Sequence, residues 1–392
     1  MKIAVISSIF IPGLGYLEEG LASVVASLGH DVSVFTSYHY PVNAKGLDKL
    51  PLPEHQIIHL RKSQYKYSIT RLITLIKIRS NVICRGLKKS VIVFNPDLVL
   101  LVGVSDFFPL ELLSSDFCIR YKVIAFIGQN YDMSHWRKAN SMQKRITSFI
   151  INRIIKGFLF RRSVRLLSTI VFYTPDSEEI ISSILPSDLI TILHAKKINI
   201  PLGFNADDYY FSEGSRVMIR NQLGISEQQK VFITVTRVEE SKRILEIIQD
   251  LFLSAEIDLV YIIIGFVGNT YQREIESYIE SNNLAKRVFC LPFSSNGSIV
   301  DYFSASDFGI WLQSSASIQQ AMGTGLPVIL PYNQTTSLLI KEGQNGYYIN
   351  DSINKTVQKA INYFTISSEE RKDVECYNKS IFSYQAILGS II

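Results

Sequence analysis

Asp307 to Leu330, reading DFGIWLQSSASIQQAMGTGLPVIL, constrains the fold more than any other stretch of the chain. An apolar run from Phe308 to Leu312 stops at a polar loop. A helix-compatible segment starts at Ala316, Gly323 and Gly325 close it, and Pro327 opens a second apolar run. The order is strand, loop, helix, turn, strand. In an open parallel sheet such a loop lies at the carboxyl ends of the strands, and the helix start offers unpaired N–H groups to an anion.

The stretch resembles the donor-binding segment of retaining nucleotide-sugar glycosyltransferases of GT-B architecture, in the glycosyl transferases group 1 class. In that family a Pro-Ser-x-x-Glu-Gly-x-Gly loop leads to Glu-Ala-Met-Ala-x-Gly-x-Pro-Val. Gln320-Ala321-Met322-Gly323-Thr324-Gly325-Leu326-Pro327-Val328 matches the second half. The first half departs. Leu312 and Gln320 stand where the family has two glutamates eight positions apart, and Ser315 stands where it has a loop glycine.

The chain has 392 residues, 47% of them apolar and 19% charged, enough for two globular domains with sizeable cores. Cys84, Cys118, Cys290 and Cys376 show no metal-ligand or disulfide spacing, which points to a reducing compartment. Met1 to Ile11 reads as a first strand entering a glycine loop rather than as a signal peptide. No apolar run reaches the ~18 residues of a membrane span, so the expected location is cytoplasmic, soluble or peripheral.

The first half opens as a β-loop-α-β unit. Strands are expected at Lys2–Ile6 and Asp31–Thr36, with a helix between them that places Leu17, Leu21, Val24, Val25 and Leu28 on one face. This resembles the family's start, where a Gly-Gly loop lies under the sugar and phosphates; Gly13 and Gly15 match those glycines, and Tyr16 replaces the second of the pair. A dinucleotide fingerprint is absent, because no third glycine follows Gly13-x-Gly15 at the required spacing. Further strands are expected at Val91–Phe94, Leu98–Val102, Val123–Ile127 and Ile170–Tyr173. The family often carries a functional histidine after the third of these. Gly128 and Gln129 occupy that region here, and His135 is the nearest candidate.

The net charge of +5 is uneven: residues 1–205 hold 25 Lys/Arg against 14 Asp/Glu, while the remainder is acidic. Arg61 to Lys89 has nine basic residues and no acid. Ile69, Leu72, Ile73, Ile76, Ile83 and Leu87 share one helical face opposite Arg71, Lys77, Arg85, Lys88 and Lys89, so an amphipathic basic helix is expected. Met133 to Pro175 again has nine basic residues and no acid. Such stretches are either solvated faces over a sheet or contacts with anionic lipid, the latter worth ~1 kcal/mol per suitably placed cation. No nucleic-acid-binding motif accompanies the charge.

Ile198 to Asp207 resembles the family's Ile-Pro-Asn-Gly-Val-Asp segment, and Tyr209 to Lys230 reads as an interdomain linker. Val231–Thr236, Leu259–Gly265, Val288–Pro292 and Phe308–Leu312 are expected strands, with helices at Tyr271–Asn282 and Ser298–Ala305. Arg237-Val238-Glu239-Glu240-Ser241-Lys242 is similar to the family's Gly-Arg-x-x-x-x-Lys element, whose cations embrace the donor diphosphate. Gly265 and Gly268 flank a loop similar to the family's Gly-x-Gly, which approaches the base. Glu342-Gly343-Gln344-Asn345-Gly346 is similar to its Asp-Gly-x-Asn-Gly turn.

The expected architecture is therefore α/β, GT-B, with two facing Rossmann-like domains and a cleft. Residues 1–207 form an acceptor-side domain, 208–230 a linker, 231–375 a donor-side domain, and 376–392 a C-terminal helix that packs back on the first domain. The resemblance implies a hexosyltransferase that retains anomeric configuration, acting on a lipid-linked or polysaccharide acceptor of a bacterial cell surface, of lipopolysaccharide or capsule type. It would work on the inner face of the plasma membrane. Arg237, Lys242 and His135 are the expected catalytic residues. Gly13, Gly15, Gly265, Ser314, Ser315, Ala316, Ser317 and Gln320 are expected to bind the donor, a UDP- or GDP-linked sugar that serves as co-substrate, with no separate cofactor. No Asp-x-Asp occurs in the chain, so no metal is expected at the phosphates. A second reading is a non-catalytic binding or scaffold relative, and a third a sugar-nucleotide epimerase of similar architecture.

Overall fold

The computed structural model describes residues 1–12, 17–38, 58–62, 65–78, 81–104, 107–127, 156–253, 258–292, 296–364 and 367–392, together with Met142, Ile146 and Ile154. The chain divides into two compact units, Met1–Pro201 and Leu202–Ile392.

In the first unit, β1 (Lys2–Ser7), β2 (Asp31–Ser37), β3 (Ile58–Lys62), β4 (Tyr65–Leu72), β7 (Leu98–Val102), β8 (Lys122–Ile127), β9 (Thr169–Phe172) and β10 (Lys197–Asn199) form one sheet. Their order is β10-β9-β8-β7-β1-β2-β4-β3, parallel except for the β3–β4 pair. The inner strands are apolar on both faces, as a parallel sheet covered by helices requires, and Ile3 to Ile6 are fully buried. Chain order reverses across β1, between β7 and β2, which makes the carboxyl end of β1 a topological switch point.

Arg61 to Lys89 does not form the expected amphipathic helix. It forms the end of β3, all of β4, and a separate hairpin of β5 (Thr74–Ile78) and β6 (Asn81–Cys84). Helix begins only at Leu87 and runs to Phe94, so the strand expected at Val91–Phe94 is helical as well. From Tyr65 to Leu72 the chain alternates: Tyr67, Ile69 and Arg71 are buried, while Ser68 and Thr70 are less so. This period of two, carried by aromatic and β-branched residues, overrides the helical spacing that the same isoleucines also satisfy. The basic residues consequently do not share one helix face. Arg71 itself is buried, its Nη2 donating to the Phe10 carbonyl at 3.4 Å.

The helix after β1, Leu17–Ser27, buries both Glu18 and Glu19 in its first turn. Desolvation pushes the Glu18 carboxyl up to about 7 from 4.5, aided by the charge of Glu19 and opposed by a backbone hydrogen bond. A raised folded-state value means that the folded protein holds this proton more tightly than the unfolded chain does. Its stabilising contribution is fully present below about pH 4.5 and is lost as pH rises through about 7. Urea denaturation at pH 5 and pH 8 should show wild type losing on the order of 3 kcal/mol more than Glu18→Gln. Equal losses would show that Glu18 titrates as it does in the unfolded chain.

In the second unit, β11 (Lys230–Val235), β12 (Leu259–Phe266), β13 (Val288–Pro292), β14 (Phe308–Ile310), β15 (Val328–Pro331) and β16 (Gly346–Ile349) form a fully parallel sheet in the order β13-β12-β11-β14-β15-β16. Its switch point lies between β11 and β14.

The expected linker at 208–230 is instead part of this unit. Ser212 caps a helix, Glu213–Leu223, by accepting from the Ser215 N–H, and Gly224 ends it in a left-handed conformation. Arg216 and Arg220 on this helix pair with buried Asp307 at 2.7 and 3.4 Å, and Asp307 also accepts from the Val231 N–H at 2.7 Å. The acid that opens the key stretch thus ties this helix to the starts of β11 and β14. The expected break at 375/376 falls inside the helix Ser368–Phe382, which belongs to the second unit together with Tyr384–Gly389. Asp307→Ala leaves the buried Arg220 guanidinium and the half-buried Arg216 guanidinium without their carboxylate and should cost about 3–5 kcal/mol, read as a shift of the denaturation midpoint. A shift below 1 kcal/mol would show that water reaches the pair.

Candidate functional site

The second unit's switch point gathers most of the expected donor residues. β14 pairs with β11 only through Phe232–Phe308 and Ile233–Gly309. The β14 ladder therefore stops short of the Val235 carbonyl, and side chains take over: Trp311 Nε1 donates to it at 3.1 Å and Ser317 Oγ donates to it as well. The loop after β14 is thereby fixed to the end of β11, immediately before Arg237.

Ser315 is the N-cap residue of the helix Ala316–Gly323, yet its side chain makes no capping bond and pairs with Ser317 Oγ at 2.8 Å. The first N–H groups of this helix are left without a side-chain cap, the state in which a helix start accepts an anion. On the other side of the switch point, Lys242 Nζ donates to the Ser314 carbonyl at 2.7 Å. Two of the three ammonium protons remain for another acceptor. Partial burial holds the Lys242 ammonium below the usual lysine range; Arg237 lowers it further and Glu239 opposes. Arg237 is exposed, and its guanidinium makes no hydrogen bond among the described residues. The arrangement is a cationic turn and an uncapped helix start bound directly to each other, which suits a polyanion with two adjacent charged centres.

Gly265 takes φ +128°, and a Cβ there would overlap the Thr236 carbonyl oxygen. The loop after β12 can therefore lie directly on the backbone before Arg237. Gln320 is buried within its helix, and Leu312 belongs to the apolar core that also holds Val238 and Ile310. Ala316 is exposed at the first helical position. Gly13, Gly15 and His135 lie outside the described residues.

Sequence reasoning missed Trp311 and the residues holding the far end of the helix. Asn378 Nδ2 donates to the Met322 carbonyl at 2.8 Å, and Arg371 Nε to the Thr324 carbonyl at 3.3 Å. Gly325, at φ +69°, lies against the backbone carbonyl of Arg371. Only the glycine was a visible signal; the long-range partners carry no local pattern. Gly325→Ala combines left-handed strain with overlap on main chain and should cost at least ~2 kcal/mol. An unchanged melting temperature would show that the Ser368–Phe382 helix can move away.

Residues 215–380 match the family described as glycosyl transferases group 1. They belong to it. Within the same class of similarity, 162 residues are 25% identical to alpha-monoglucosyldiacylglycerol synthase from Acholeplasma laidlawii, covering 38% of this chain and 40% of that protein. The matched part thus spans less than half of that relative's length. Sucrose-phosphate synthase from Thermosynechococcus elongatus is similar in structure with a TM-score of 0.67 and 15% identity, covering 100% of this chain and 97% of the other. HepE from Anabaena, solved in complex with UDP and glucose, gives 0.65 and 15%, covering 100% and 98%. The fold is the α/β architecture of GT-B glycosyltransferases, as the sequence pattern predicts.

Proposed function

We propose that the chain is a glycosyltransferase that moves a hexosyl group from a UDP- or GDP-linked donor to an acceptor carried by a membrane lipid or a polysaccharide, with retention and without a bridging metal. The observation that carries this reading is the joining of the Arg237–Lys242 turn to the uncapped helix start through Lys242 and Ser314. As the bond from the anomeric carbon to the diphosphate oxygen breaks, its electron pair goes to the leaving diphosphate, while an acceptor hydroxyl oxygen forms the new bond to that carbon and gives up its proton to the departing phosphate oxygen. Arg237, Lys242 and the N–H groups of the Ser314–Ser317 loop would hold that growing charge in fixed positions. Gln320 would offer an amide where the family pattern has a carboxylate, and His135 is a further candidate. The UDP complex of HepE supports a nucleotide-sugar donor.

A panel of nucleoside diphosphates and nucleotide-sugars should raise the melting temperature of wild type in proportion to concentration over Kd, with UDP or GDP compounds responding. Arg237→Ala and Lys242→Ala should each lower turnover by a factor on the order of 10² to 10³ with the fold kept. Arg237→Lys should restore part, since an ammonium lacks the planar two-pronged contact. Near-normal turnover in a folded double variant would sink the assignment. Binding without turnover would favour the scaffold reading, for which the loss of both family carboxylates at Leu312 and Gln320 is the motive.

The acceptor side rests on the first unit. Within the acid-free stretch Met133–Pro175, Met142, Ile146, Ile154 and Phe158 are all exposed, and they recur at multiples of four. Apolar side chains among cations suit an anionic lipid surface. The glycolipid named for the Acholeplasma relative agrees with a lipid-borne acceptor. No helix among the described residues is long and apolar enough to cross a membrane, and all four cysteines are free. Attachment would then be peripheral, on the cytoplasmic face. The protein should sediment with vesicles containing anionic lipid and be released by salt, because screening shortens such attraction to ~8 Å at physiological ionic strength. Equal binding to neutral vesicles would remove the electrostatic account.

A further inference from the structure

We infer that Asn269 and Gln272 are positioning residues for Arg237, an inference that rests on the donor-site reading above. After β12 the chain passes through Val267–Asn269 and enters the helix Thr270–Ser281, where Asn269 Oδ1 accepts from the Gln272 N–H at 2.9 Å. The Gln272 side chain, 1% exposed, turns back into the loop. Its Oε1 accepts from the N–H groups of Val267 at 2.8 Å, Gly268, and Asn269 at 3.3 Å. Those bonds complete a reciprocal cap and need only the oxygens of the two amides.

The amide nitrogens do something else. Asn269 Nδ2 donates to the Val238 carbonyl at 2.7 Å and Gln272 Nε2 to the same oxygen at 3.2 Å. Val238 N–H in turn donates to the Gly265 carbonyl at 3.3 Å, and Gly265 lies on the Thr236 carbonyl. Gly265, near the end of β12, thus meets the peptide groups on both sides of Arg237, and the Asn269 and Gln272 amides fix the next one, Val238–Glu239. With its guanidinium exposed and unbonded among the described residues, Arg237 owes its direction to this backbone alone. Aspartate and glutamate would cap the helix as well as these amides, with an added favourable charge at a helix start. They could not donate to Val238. The choice of amides thus serves the Arg237 turn rather than the cap.

The test is a pair of double-mutant cycles on the full chain. Asn269→Ser keeps a cap residue of similar rank, adds no charge and removes the donor to Val238; Gln272→Glu keeps the triple acceptor and removes the second donor. Melting temperature, donor kcat and KM, and UDP binding are measured for each, alone and with Arg237→Ala. Each single variant should lower kcat/KM by about three- to tenfold, the equivalent of one hydrogen bond, and should have little further effect once Arg237 is alanine. Losses that multiply with that of Arg237→Ala in folded protein would overturn the inference, as would single variants as active as wild type. If Gln272→Glu fails to fold, the part-exposed Asn269→Ser decides alone. A wild type that binds no nucleoside diphosphate overturns the donor-site reading and this inference with it; a wild type that binds, with independent variants, overturns only this inference.

Discussion

The Val235 carbonyl is the point on which the junction between β11, the Arg237–Lys242 turn and the Ala316–Gly323 helix depends. A buried main-chain oxygen has to find a donor, and β14 is too short to supply one from its ladder. Trp311 and Ser317 supply it from their side chains, and in doing so they hold the loop after β14 to the end of β11. Because Arg237 is only two residues further along β11's exit, one hydrogen-bonding requirement sets the spacing between a cationic turn and a helix start. Lys242 closes the same junction from the other side through Ser314. The short strand that weakens the sheet at this position is thus also what frees its edge for ligand chemistry.

Support for this junction comes from far along the sequence. Asp307, at the start of β14, is held by two arginines of a helix nearly a hundred residues earlier, and the far end of the Ala316–Gly323 helix is held by Asn378 and Arg371. Asn378 also accepts from Asn345 Nδ2 at 2.9 Å, and Asn345 donates to the Leu339 carbonyl at 3.0 Å as well. The loop that would meet the donor is fixed to β11, and the helix that follows it is held at its far end by the Ser368–Phe382 helix. A loop built for electrostatic stabilisation gains from such fixing, since preorganised dipoles cost no reorganisation during reaction.

What was legible in the sequence follows the range of the forces involved. The parallel strands read as apolar runs because both faces are covered, and the Asp307–Leu330 unit read correctly because glycine, proline and period changes are local signals. Arg61 to Lys89 misled because six apolar positions fall on one face of a helical wheel, while the strand alternation is carried by Tyr67, Ile69 and Arg71. The Tyr65–Leu72 segment resolves to strand by pairing with β2, a contact no local window contains. Tyr209 to Lys230 misled for the opposite reason. Its helix buries Arg220 beside Ile219 and half-buries Arg216, so hydrophobic patterning has little to find, and the partner that makes this burial tolerable is Asp307. The same limit hid Gln272 and Asn269, whose spacing is a visible capping pattern but whose amide nitrogens matter only beside Val238.

Leu312 shows how deeply the departure from the family pattern is built in. Its side chain lies in the apolar core that also contains Val238, inside the Arg237–Lys242 turn, and Ile244, just after it. A carboxylate placed there would be a buried charge, costing several kcal/mol unless a cation moved in to pair with it. Lys242 already bonds to Ser314. Leucine at 312 and lysine on the Ser314 carbonyl are therefore one packing solution. Under the donor-site reading this arrangement leaves Arg237, Lys242 and the N–H groups of the helix start to stabilise the diphosphate charge, with no carboxylate at 312 or 320 beside them.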